Sequence, residues 1–160
     1  MKVWACAAGC YVPYFIPEGG SAVNGTYQIL NTLPFYSESK SNPALSSLAQ
    51  ALGGANKMDS NAMSSYVEAL LFENAVEKAV ANGGTLTRAS LFKVLNTDET
   101  SFNADGIVGQ TDVSTHAPSP CFVLAQVVND KWKRVYPTKA GTFDCNKKNL
   151  VTLKFNGASS

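Results

Sequence analysis

The stretch Ser114-Thr115-His116-Ala117-Pro118-Ser119-Pro120-Cys121-Phe122-Val123-Leu124-Ala125-Gln126-Val127-Val128-Asn129-Asp130-Lys131-Trp132-Lys133-Arg134-Val135-Tyr136-Pro137 decides how the fold is read. Its prolines stiffen an extended approach. Phe122 to Val128 is then an apolar run with β-branched and aromatic residues, the composition of a strand. Asn129-Asp130 tolerates positive φ, and Lys131 to Tyr136 alternates polar with apolar, so a tight hairpin is expected. Cys145 follows in Gly141-Thr142-Phe143-Asp144-Cys145. A strand pair clamped to a following loop points to an oxidising compartment.

Toward the N-terminus, Met1 to Ala5 reads as a buried strand running into the loop Ala7 to Tyr11. A short aromatic stretch ends at Glu18-Gly19-Gly20, and Gly25 to Leu30 is a second strand entered through Asn24-Gly25. The triplet Asn24-Gly25-Thr26 is a glycosylation sequon, a pattern too common by chance to carry weight. Asn31 to Ser41 reads as a crossover. Helices fill the middle. Asn42 is a good N-cap with Pro43 at the first helical position, and Gly53-Gly54 ends that helix. Asp59 or Ser60 caps a longer helix with Met63, Tyr66, Val67, Leu70, Leu71, Val76, Ala79 and Val80 at helical spacing. Asn82-Gly83-Gly84 ends it. Thr87 caps a third helix through Leu95, with Leu91, Phe92 and Leu95 expected to face inward. Asp105 to Thr111 reads as a strand or extended arm.

At 160 residues the chain can bury one ordinary core. With 13 Lys and Arg against 12 Asp and Glu, no basic stripe invites nucleic acid. No apolar run approaches the ~18 residues that suggest a membrane span. The segment Met1-Lys2-Val3-Trp4-Ala5-Cys6 lacks the sustained apolar centre of a signal peptide, so the chain is expected to begin inside a longer protein.

Four cysteines accompany a single histidine, His116. Cys6-Ala7-Ala8-Gly9-Cys10 has one spacer residue more than a thioredoxin-type pair or a common zinc knuckle. Two structural disulfides, a metal site and buried free thiols are the alternatives. The most local of the three pairings, Cys6–Cys10 with Cys121–Cys145, is preferred. No Gly-x-Ser-x-Gly elbow, phosphate-binding glycine loop or His-Glu-x-x-His occurs. His116 reads as a crossover-loop residue, and Asp98-Glu99 as a solvated turn. Asn103 with Asp105-Gly106 lacks the ligand spacing and distal glutamate of a calcium loop. Neither an enzymatic activity nor a cofactor is expected.

The ordered set Val3-Trp4-Ala5-Cys6-Ala7-Ala8-Gly9-Cys10, Gly19 to Tyr27, Ser41-Asn42-Pro43-Ala44-Leu45, Ser65 to Leu71 and the Cys121–Tyr136 hairpin resembles a known family. It is similar to the C-terminal part of type 1 solute-binding proteins, the leucine/isoleucine/valine-binding-like receptors of ABC importers. The cysteine-bearing segments Ser119 to Val123 and Gly141 to Cys145 are similar to extracellular lipoprotein members from Gram-positive bacteria. The resemblance runs from about Val3 to Leu153.

The resemblance implies an α/β fold of the periplasmic-binding-protein type 1 kind, two-lobed and flytrap-like, incomplete at its N-terminal side. Residues 1–33 would belong to the second lobe, 34–110 would supply helices and an arm of the first, and 111–160 would be the crossover and closing strands of the second. It also implies a non-catalytic binding component for a small solute such as an amino acid, located at the cell surface or in a periplasm. Its partner would be an ABC permease, with a lipid anchor in a preceding segment. A receptor-like sensor that signals rather than transports is the alternative, and neighbouring genes for a permease or for a kinase would separate the two. By the same resemblance, Ala7, Ala8 and Cys10 would approach the ligand, with a second contact at Asn61. Tyr11 would line the cleft or pack under the loop. No carboxylate stands near Ala7 to meet an ammonium group. With contacts shared between two lobes, this chain alone is expected to bind weakly or not at all. Non-reducing peptide mapping should recover Cys6–Cys10 and Cys121–Cys145; four free thiols, a Cys6–Cys121 link or stoichiometric zinc would contradict that pairing.

Overall fold

The computed structural model describes residues 3–6 and 8–152. It is a mixed α/β structure with one four-stranded sheet and five α-helices among the described residues. The strands are β1 (Ala5–Cys6), β2 (Tyr27–Leu30), β3 (Val123–Val127) and β4 (Trp132–Tyr136), in the order β1-β2-β3-β4. β1 runs parallel to β2, and the other neighbours are antiparallel. The helices are α1 (Phe15–Gly19), α2 (Phe35–Glu38), α3 (Pro43–Ala51), α4 (Ser60–Val80) and α5 (Arg88–Lys93).

The hairpin forms as its sequence dictates. Asn129 and Asp130 take φ of 51° and 56°, and the Val128 amide donates to the Lys131 carbonyl. Positive φ at both central residues matches the right-handed twist of the strands. Val127 pairs with Trp132 and Ala125 with Arg134, before a bulge shifts the register. Strand alternation puts Val123, Ala125 and Val127 inward, with Trp132 buried beside them. Cys121 and Cys145 are joined, as are Cys6 and Cys10. The Cys121–Cys145 bridge lies against the bare backbone of Gly109, where an added Cβ would overlap Cys121.

The helix caps also follow the sequence. Asn42 accepts from the Leu45 amide with Pro43 at the start of α3, Asp59 accepts from the Ala62 amide, and Thr87 shares a capping box with Ser90. α5 gives way to a π turn at Val94–Asp98. Phe92, expected to face inward, is half exposed on α5 under the Arg88 guanidinium, and Val94 is buried instead.

Three further expectations are corrected. Asn31–Ser41 holds a helical turn, α2, because Pro34 stands at its entry and Phe35 and Glu38 bury one face. The N-terminal strand is not buried: Val3 and Trp4 are exposed, since β1 is an edge of the sheet. The helices α3 and α4, expected in a lobe apart from the hairpin, pack against it. Leu45, Ala49, Met58 and Met63 share one buried cluster with Val123, Ala125, Val127 and Trp132. α4 nonetheless leaves Val80 of its broad apolar stripe exposed, and Phe72 beside the stripe as well.

One ion pair fastens α2 to β4. The Arg134 guanidinium, aligned inward with Trp132 on the strand's period of two, meets the Glu38 carboxylate through Nε and Nη2. The Gly141 amide donates to the same carboxylate at 3.0 Å, and Arg134 Nη1 donates to the carbonyls of Thr142 and Pro137. Both side chains are almost fully buried. Every charged atom in contact is thus met by a partner, the condition under which a buried pair is tolerated.

Candidate ligand-binding groove

Tyr11 is the pivot of the region the sequence singled out. Leaving the loop closed by Cys6–Cys10, the chain turns through Ala8–Cys10 and drives Tyr11 into the core at 0% exposure. Its ring meets Phe35 edge-on at 4.7 Å, Tyr36 at 4.7 Å and Trp132 at 5.0 Å. Such contacts add to the area they bury. The Tyr11 hydroxyl makes no hydrogen bond of acceptable geometry. Burial drives its phenol far above the usual tyrosine range, an effect that the nearby Tyr36 amide only partly offsets.

Of the residues expected to touch a ligand, Ala7 lies outside the described residues. Ala8 opens the short turn and Cys10 closes it, half-buried in its disulfide. Tyr11 takes the second of its two placements, under the loop. Asn61 is exposed in the first turn of α4. The start of this helix does approach the loop, because the Ser60 hydroxyl donates to the Tyr11 carbonyl at 3.3 Å. Tyr14 is exposed.

Over this aromatic centre lies a groove of about 440 Å³. Val12, Pro13 and Ile16 form one wall, and Tyr36, Ser37 and Asn56 form another. Lys131, Trp132 and Lys133 complete it along the edge strand β4. Trp132 stacks on Phe15 at 5.7 Å, and its buried indole N–H has no acceptor. The Tyr36 hydroxyl donates to the Met58 carbonyl at 2.7 Å. Burial first, then the Asp59 and Tyr14 charges, raise the Tyr36 phenol well above its ordinary value.

Sequence reasoning missed this groove. Lys131-Trp132-Lys133-Arg134 reads as a solvated strand face, yet Trp132 and Arg134 are drawn inside by α2, whose own formation the sequence did not announce. The alternation of the hairpin was the available signal. A second depression of about 380 Å³ is polar, with Glu73, Glu77 and Asp105 among its lining. Among the described residues no group of three or more His, Cys, Asp or Glu is placed to hold a metal.

No protein-family model, curated protein or solved structure matches this chain.

The two raised phenols give stability a sign at high pH. Above the ordinary tyrosine value of about 10, the unfolded chain loses protons that folded Tyr11 and Tyr36 keep, so stability falls as pH rises. Urea denaturation at successive alkaline pH values should show this decline. Tyr11→Phe, which removes a hydroxyl with no partner, should flatten it while changing neutral-pH stability by less than about 1.5 kcal/mol. An unchanged alkaline slope in that variant would contradict the placement of Tyr11.

Proposed function

We propose that this chain belongs to the ligand-binding component of an ABC-type importer, taking a small solute such as an amino acid or a related compound. The observation that carries the reading is the make-up of the groove. Its walls come from residues 1–33, from 34–110 and from 111–160, the three segments between which a two-lobed receptor would divide this sequence. A concave, mainly apolar space with a few polar groups is the usual form of a small-molecule site.

The crossovers lend support. Thr32 bridges Val108, and the Leu33 amide donates to the Ile107 carbonyl at 2.8 Å, close to where the chain would pass between lobes. In a two-lobed receptor, crossovers lying side by side would serve as the hinge. A solute that contacts both sides would shift such a receptor toward its closed form only through stronger binding to that form. Ala8, Cys10 and Asn61 stand outside the groove's lining, and in this reading Tyr11 supports the site from below. The two disulfides point to an oxidising compartment, for which we propose the cell surface or a periplasm. Among the described residues no helix is long and apolar enough to cross a membrane.

The test is ligand-observed NMR on the 160-residue chain with a panel of amino acids, small amides and small organic acids. At least one class should bind weakly and saturably, with Kd near 10⁻⁴ to 10⁻³ M (order of magnitude), and Tyr36→Ala should weaken it roughly tenfold. A folded protein that binds none of the panel would contradict the reading.

A further inference from the structure

We infer that the groove selects an anion: a small molecule with an apolar body and a carboxylate, and no need of an ammonium group. The inference rests on the solute-binding reading and adds the chemical class of the solute. The observation behind it is the one-sided charge of the lining. Lys131 and Lys133 are the charged residues of the groove's lining, and no carboxylate lines it. Carboxylates on the neighbouring segments hold partners outside the groove, Asp130 beside Lys131 among them, since it accepts from the Asn24 side-chain amide at 2.8 Å. Glu38 is closed within its pair with Arg134, and Asp59 accepts the Ala62 amide at the cap of α4. An ammonium group in the groove would meet two lysines of like charge and no carboxylate in the lining, whereas a carboxylate would meet charges of opposite sign.

The remaining surface fits the rest of such a molecule. Val12, Pro13 and Ile16 offer apolar contact, and Tyr36 and Trp132 offer aromatic faces. About 440 Å³ suffices for a body of six to ten heavy atoms (rough estimate) with the acid at its end. Lys131 and Lys133 are exposed, so their attraction is screened and should shrink as salt is raised.

The experiment uses the full chain carrying Trp4→Phe, which leaves Trp132 in the groove as the sole indole reporter. Emission is titrated with 3-phenylpropanoate, with its neutral amide 3-phenylpropanamide, and with L-phenylalanine. The acid should bind about tenfold more tightly than the amide, a preference that falls with added salt and disappears in K131Q/K133Q. Circular-dichroism melts establish that each variant is folded. Equal binding of acid and amide, preference for phenylalanine, or an acid preference that survives K131Q/K133Q would overturn the anionic class while leaving a solute-binding groove in place. No response to any of the three, in protein with a native melt, would overturn the inference together with the groove on which it rests.

Discussion

The pair between Glu38 and Arg134 is the constraint from which the site follows. Glu38 sits two residues beyond Tyr36, and Arg134 two residues beyond Trp132. Locking the charged pair therefore fixes two aromatic side chains across from one another. The carboxylate also takes the Gly141 amide, and the guanidinium takes two carbonyls from the turn after β4. One pair thus joins a helical turn, an edge strand and the loop leading to Cys145. Removing either partner would leave an uncompensated charge in an apolar setting, the costliest way to disturb such a contact.

Under this clamp lies the aromatic group of Tyr11, Phe35, Tyr36 and Trp132, which merges hairpin and helices into one buried cluster. Stability and the proposed site meet in these rings. Tyr11 is buried and structural, while Tyr36 and Trp132 face the core with one part and the groove with another. The groove has little to align a reacting group and much to hold a small apolar body. The proposed role as a receptor for a solute follows from that balance, together with the neighbouring crossovers at Thr32 and Val108.

Much of the fold was legible in the sequence where a local rule decides it. Asn129-Asp130 announced the hairpin, Asn42-Pro43 and Asp59 announced their helices, and the cysteines paired with their nearest partners. What escaped depends on contacts distant in sequence. α2 is too short to show a period, and its Glu38 is stable inside only because Arg134 lies 96 residues away. Phe92 was misplaced because on a six-residue helix the apolar spacing does not settle which face is covered, and its ring lies outward under Arg88. For the site, the resemblance offered Ala8, Cys10 and Asn61 as ligand contacts; none of them lines the groove, and the hydrogen bond from Ser60 to the Tyr11 carbonyl is what links their elements. The groove itself was illegible, since its walls meet only after the hairpin docks on α2.

The most direct measurement is a double-mutant cycle on Glu38 and Arg134, using E38A, R134A and the double variant in urea denaturation at neutral pH. Each single change should cost about 3–5 kcal/mol, and the double variant should cost clearly less than their sum, with a coupling of about 2 kcal/mol or more. Additive losses, with coupling near zero, would mean that the pair does not hold α2 to β4 and would contradict the account of how the groove is built.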